Sequence, residues 1–118
     1  KEKVFENSVK KFLTDQGCWF IKYWAGAAFT KSGIPDILCC CKSVFFGIEV
    51  KADDGNPSDL QLVNLRNIDK AGGIAVLLYP KHFEKFKNLV YDPNNEVLYD
   101  ELKQVWINEI RKRGIKNG

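Results

Sequence analysis

Methionine is missing from this 118-residue chain, and histidine occurs once, at His82. With no Met, the initiator is expected to lie outside this stretch. His82 has no ligand-spaced partner, which excludes a histidine metal cluster, and it falls where a helix begins. No apolar run nears the roughly 20 residues that a bilayer crossing needs, and Lys1-Glu2-Lys3-Val4 does not open a signal peptide, so no membrane association is expected. Four cysteines are present but no CxxC pair. Neighbouring residues of a strand point to opposite faces and cannot share one zinc ion. Cys39 to Cys41 therefore read as buried, reduced thiols serving as small core residues, in a reducing cytoplasmic compartment. Asp53-Asp54-Gly55 lacks the alternating ligands and closing Glu of an EF-hand loop. Gly72-Gly73 follows a helix rather than preceding one, so it is a helix stop and not a phosphate cradle. Internal repeats and low-complexity segments are absent.

What is there is an ordinary globular composition, 45% hydrophobic and 28% charged. The length suits one domain over 1–118, with a core at about 2–79 and C-terminal helices at about 81–113. Such a domain is small for an enzyme that encloses its substrate, which favours a large, exposed polymer. A net charge of +3 permits nucleic-acid binding without demonstrating it. Lys10, Lys11, Lys22, Lys31 and Lys42 lie in the first half, and Arg111-Lys112-Arg113 with Lys116 makes the far end basic; a solvated face accounts for either group equally well.

The spacing of Val4, Phe5, Val9, Phe12 and Leu13 predicts a helix from Glu2 to about Gln16, stopped by Gly17, with Glu6 at the edge of its buried face. Cys18 to Trp24 is aromatic and β-branched and reads as a strand. Its aromatics Trp19, Phe20, Tyr23 and Trp24, with Phe29, suit the core or a subunit interface, or stacking on unpaired bases. Ala25 to Ala28 reads as a loop. Strands are expected at Ile37 to Cys41 and Val44 to Val50. A helix follows from Pro57 to Ala71, capped by Asn56, with Leu60, Val63, Ile68 and Ala71 as its stripe. Ile74 to Leu78 is a strand covered on both faces. Two helices, Lys81 to Leu89 and Asp100 to Arg113, flank a turn at Pro93-Asn94-Asn95. The order is α-β-β-β-α-β-α-α: an α/β fold whose strand-helix-strand unit requires a mixed β-sheet with helices on both faces.

Chemistry concentrates in the first hairpin. In a strand Glu49 and Lys51 share one face while Val50 points the other way. If Lys42-Ser43 is a two-residue turn, Cys41 pairs with Val44, and counting back sets Asp36 opposite Glu49, with Cβ atoms roughly 5 Å apart. Two carboxylates so close repel each other unless a cation sits between them, and a hard divalent ion with oxygen ligands meets that need. Lys-Ser is not a favoured turn pair, so a bulge or longer loop would shift this register.

Lys31-Ser32-Gly33-Ile34-Pro35-Asp36, Phe46-Gly47-Ile48-Glu49-Val50-Lys51, the downstream Gln61 and Ala71-Gly72-Gly73 before an apolar strand together resemble the PD-(D/E)XK nuclease superfamily. Within it they are similar to the VRR-NUC domain, itself similar to the archaeal Holliday-junction resolvases. The resemblance implies that Asp36, Glu49 and the backbone carbonyl of Val50 hold Mg²⁺ or Mn²⁺, and that Glu6 completes the metal shell. Lys51 would position or deprotonate the attacking water, or stabilise negative charge developing on the phosphate, and Gln61 would orient the site. The resemblance further implies a metal-dependent endodeoxyribonuclease with no organic cofactor, acting on Holliday junctions or related branched DNA as a homodimer, in a phage or bacterial host cell. On their own chemistry rather than on the resemblance, Lys31 and Ser32 either contact the scissile phosphate or complete a loop, and Lys10 and Lys11 are candidate DNA contacts.

Residue by residue, blander readings stand beside these. Asp36 fits a turn after Pro35, Glu49 and Lys51 a solvated ion pair, Glu6 a helix-dipole contact, and Gln61 a surface amide. Jointly they fail for the central trio, because charges among Phe46, Ile48 and Val50 need partners. A nuclease of duplex or flap DNA, and a non-catalytic module that binds nucleic acid or protein, remain as rivals.

Overall fold

Val44–Val50 is the most deeply buried strand but one, and the fold is built around it. The computed structural model describes residues 1–24 and 30–116. Its elements are α1 (Glu2–Asp15), β1 (Trp19–Lys22), β2 (Ile37–Cys41), β3 (Val44–Val50), α2 (Asp59–Lys70), β4 (Ile74–Leu78), a 3₁₀ turn (Pro80–His82), α3 (Phe83–Tyr91) and α4 (Glu96–Arg113). The four strands form one sheet in the order β1-β2-β3-β4. β1, β2 and β3 run antiparallel in succession, and β4 joins β3 in parallel across α2. This is the expected mixed sheet, with the expected element order.

Side-chain alternation divides the core between the two faces. Phe46, Ile48, Val50, Val76 and Leu78 face α1 and α3, meeting Phe5, Val9, Leu13, Phe86 and Leu89. Ala75 and Leu77 face the other way, against Leu62 and Leu65 of α2 and Trp106 of α4. β4 ends the sheet, yet its outer edge is not open: the Ala75 N–H donates to the Tyr99 hydroxyl at 3.0 Å, and Trp106 Nε1 donates to the Ala75 carbonyl at 2.9 Å. Side chains of α4 thus take the hydrogen bonds that a further strand would make.

Several boundaries differ from the sequence expectation. α2 begins at Asp59 with Ser58 as its cap, not at Pro57 after Asn56. Ser58 Oγ accepts from the Gln61 N–H at 3.1 Å, and Gln61 Oε1 accepts from the Ser58 N–H at 2.8 Å. This reciprocal pair satisfies two otherwise free donors, and a proline placed before it competes poorly. Leu62 and Leu65 fill the buried face of α2, whereas Leu60 is exposed. α4 starts at Glu96 because the Asn95 side chain accepts from the Leu98 N–H at 3.0 Å, making that asparagine a cap rather than the end of a turn. α3 begins two residues late, after the 3₁₀ turn. Trp19 and Trp24, 67% and 66% exposed, are not core residues. The expected loop at 25–28 and Phe29 lie outside the described residues.

The cysteine expectation is corrected as well. Cys18 and Cys41 are joined in a disulfide, and Cys39 and Cys40 are free. Trp19 pairs with Cys40 across β1 and β2, so the next position outward sets Cys18 beside Cys41, with Cα atoms 4.6 Å apart. The consecutive run at Cys39 to Cys41 does not point to this partner, which only the pairing of β1 with β2 brings alongside. The inference of a reducing compartment from cysteine usage falls with it. Cys39 is buried, and burial pushes its thiol up to about 11, which leaves it inert. Among the described residues, no helix is long and apolar enough to cross a membrane.

Candidate active site

The hairpin register is the one that the two-residue turn requires. Cys41 pairs with Val44 and Ile37 with Ile48, so the next pair outward is Asp36 and Glu49. Lys42 and Ser43 both take positive φ, 52° and 69°, the primed-turn geometry that keeps two twisted strands in register even without glycine. Two glycines let α2 lie close to the hairpin. A Cβ on Gly33, whose φ is +78°, would come within 2.5 Å of Leu60, and one on Gly47 within 2.5 Å of Ile68. The Gly33 carbonyl also accepts from Asn64 Nδ2 at 3.0 Å, which docks the segment before Asp36 onto the helix that carries Gln61.

Glu49 is 1% exposed. Its Oε2 accepts from Gln61 Nε2 at 2.9 Å and lies 3.3 Å from Lys51 Nζ. Its Oε1 is buried with no hydrogen-bond partner. Burial, then the neighbouring charge of Asp36, pushes the Glu49 carboxyl up to about 8 against the pull of Lys51. Asp36 Oδ2 accepts from the Val50 N–H at 2.9 Å, which locks the aspartate to β3. Gln61 therefore serves two ends at once: its amide oxygen closes the cap of α2 and its amide nitrogen holds Glu49.

Glu6 reaches the same place from α1 and is 3% exposed. Its Oε1 accepts from Lys22 Nζ at 2.6 Å, and its Oε2 lies 3.3 Å from Lys10 Nζ. Burial would raise its carboxyl, but the two ammonium groups outweigh that and hold it below the usual range. Lys22 Nζ also lies 3.4 Å from Asp36 Oδ1. In the sequence Lys22 stands out only as one of the basic residues of the first half. The signal that could have found it is its place as the sole charge in an aromatic strand, one register position from Asp36.

Asp36, Glu49, Lys51, Gln61 and Glu6 thus converge at the end of β3. Lys10 is drawn into the cluster through Glu6. Lys11 stands apart, paired with Asp15 at 3.0 Å on the exposed face of α1. Lys31 and Ser32 are exposed beside Gly33. No trio of acidic, cysteine or histidine side chains among the described residues forms a metal cage by itself. Two facing carboxylates, one with an unpartnered buried oxygen, nevertheless suit a hard cation that draws further ligands from backbone oxygen and water.

A mixed four-stranded sheet flanked by helices, with Asp36 just before β2 and Glu49-x-Lys51 at the end of the adjacent β3, has the architecture of the PD-(D/E)XK nucleases. The family model described as archaeal Holliday junction resolvase matches residues 1–82, and the chain belongs to that family, whose members are resolvase-type nucleases acting on DNA. The match runs from α1 through the 3₁₀ turn; α3 and α4 follow it. Searches among curated proteins and among solved structures return no match.

Proposed function

We propose that this chain is a Mg²⁺- or Mn²⁺-dependent endonuclease that hydrolyses phosphodiester bonds at four-way junctions or closely related branched DNA. The observation that carries the reading is the buried, unpartnered Oε1 of Glu49 beside Asp36. A carboxylate oxygen sealed from water with nothing to bind is costly unless a cation completes it. Asp36, Glu49 and the Val50 carbonyl are the residues that would hold the ion. An ion bound there supplies a water-derived nucleophile at neutral pH and offsets charge on the phosphoryl oxygens.

The chain's own groups do the rest. Lys51, 3.3 Å from Glu49, positions the attacking water and stabilises the phosphate charge that builds up at the strand end. Gln61 fixes the Glu49 carboxylate so that its free oxygen faces the site. Lys31 and Ser32 meet the phosphate beside the cut, and Lys10 and Lys11 lie along the backbone of the DNA.

A homodimer follows from the symmetry of a four-way junction, since paired incision needs two related sites. Support comes from the sheet face left uncovered by α2 and α4. There Trp19, Cys40 and Phe45 fall in one register row, with Ile21 one step along, and all four are exposed. The proposed location is inside the cell, where the DNA substrate is.

The test is to incubate the purified chain with four-way junction, flap, single-stranded and linear duplex DNA, each with Mg²⁺, Mn²⁺ or EDTA. Metal-dependent cutting of the junction in preference to linear duplex is expected. Bound DNA left uncut in every metal refutes the enzyme, and equal cutting of flap or duplex refutes the junction preference.

A further inference from the structure

The resemblance places Glu6 in a metal shell, but both of its oxygens already meet ammonium groups. Lys22 is 2.6 Å from one and Lys10 3.3 Å from the other. Lys22 also spans the gap to Asp36 Oδ1 at 3.4 Å, so one ammonium bridges the two carboxylates that a second metal ion would have to share. Its position is well determined by the backbone. Lys22 pairs with Ile37, the Tyr23 N–H donates to the Asp36 carbonyl at 2.8 Å, and the Lys22 side chain is mostly enclosed, with the Trp24 ring 5.3 Å from Nζ.

We propose that Lys22 occupies the second cation position of this site as a fixed ammonium, so that the chain takes one divalent ion, on Asp36 and Glu49, with Glu6 as the anchor of Lys22 rather than a metal ligand. The inference rests on the metal-dependent reading above. Charge supports it. Glu6, Asp36 and Glu49 carry three negative charges at most, and Lys10, Lys22 and Lys51 supply three positive ones within contact distance. One divalent ion then leaves the surplus that a phosphodiester needs. A second, bound between Glu6 and Asp36 at the roughly 2.1 Å of a hard-ion contact, would displace the ammonium from a closed space and bring like charges together. Lys22 is thus a positioning residue: it balances Asp36 and holds α1 to β2 through Glu6, without itself taking part in bond cleavage.

Mn²⁺ binding tests this, counted by electron paramagnetic resonance and calorimetry on the intact chain without DNA. Wild type is expected to bind one Mn²⁺. Lys22→Gln is expected to bind two, because Glu6 and Asp36 are then free to share an ion. Glu6→Gln is expected to keep a single Mn²⁺ with affinity within about threefold of wild type, because no ligand has been removed. Two ions in wild type, one in Lys22→Gln, or a loss of about tenfold or more in Glu6→Gln overturns the assignment. Should Lys22→Gln fail to fold, the wild-type count and the Glu6→Gln affinity still decide it. No Mn²⁺ binding by folded wild type refutes the metal-dependent reading itself, a result distinct from binding two.

Discussion

Replacing Glu49 with glutamine should abolish the site's metal binding and make the metal-free protein more stable. Glutamine has nearly the shape of the protonated acid. Its oxygen can accept from Gln61 as Glu49 Oε2 does now, and its amide nitrogen, placed where Oε1 lacks a partner, can donate to Asp36. The folded chain holds this carboxyl at about 8 against an ordinary 4.5, so between those values the folded state binds more protons than the unfolded one. Stability therefore falls as pH rises through that interval. At ~1.4 kcal/mol per pKa step, the carboxyl costs ~3 kcal/mol at pH 7 and under ~1 kcal/mol at pH 5. Glu49→Gln removes that cost, so in EDTA at pH 7 its melting temperature should exceed that of wild type by roughly 10 °C, with the gap closing towards pH 5. The acid-side loss from Glu6, whose carboxyl is held low, falls below this interval and leaves the comparison clear. Adding Mg²⁺ should raise the wild-type melting temperature, increasingly so at higher pH because the ligand must lose its proton, and should leave the variant unmoved. A variant less stable than wild type at pH 7, or a gap that does not change with pH, refutes the reasoning.

Three other substitutions probe the frame of the site. Lys51→Met should reduce junction cleavage on the order of 10²-fold or more while DNA binding, followed by gel shift with Ca²⁺, persists; equal loss of both would make Lys51 a binding residue. Gly33→Ala forces a side chain into left-handed backbone against Leu60, and denaturant unfolding should show a loss of about 2 kcal/mol, whereas an unchanged midpoint would mean that the Gly33 segment is not docked on α2. Ser58→Ala removes half of the capping pair and should cost ~1 kcal/mol in the same measurement, with no loss if Pro57 rather than Ser58 starts the helix.

The parts of this fold governed by local pattern were legible. β3 and β4 could be read because a run of β-branched and apolar residues buried on both faces has few alternatives, and the hairpin register followed once its turn was taken as two residues. What escaped depends either on competing local signals at helix starts or on contacts between distant segments. Ser58 and Gln61 form a recognisable capping box, but Asn56-Pro57 offered a competing start, and only the fold shows which wins. Asn95 looked like the end of a turn because its partner lies within the helix it begins. Lys22 is 16 residues from Glu6 and 14 from Asp36, so only the pairing of β1 with β2 brings the three together. Cys18 and Cys41, 23 residues apart, escaped for the same reason. Composition hid them, and strand register revealed them.

The Cys18–Cys41 bond closes a covalent ring that contains Lys22, Lys31, Ser32 and Asp36. In the oxidised protein a single peptide cleavage between Cys18 and the start of β2 yields two chains still tied together, one ending in the segment after α1 and the other carrying β2 onward. Such a nicked molecule would run as one band on a non-reducing gel and as two after reduction. The ring closure also limits the unfolded chain, by ~3 kcal/mol for a loop of this size on the chain-entropy account. For the segment leading to Asp36, continuity of the backbone and continuity of the molecule are therefore separate properties, so a protease that severs the first does not release the carboxylate from the second.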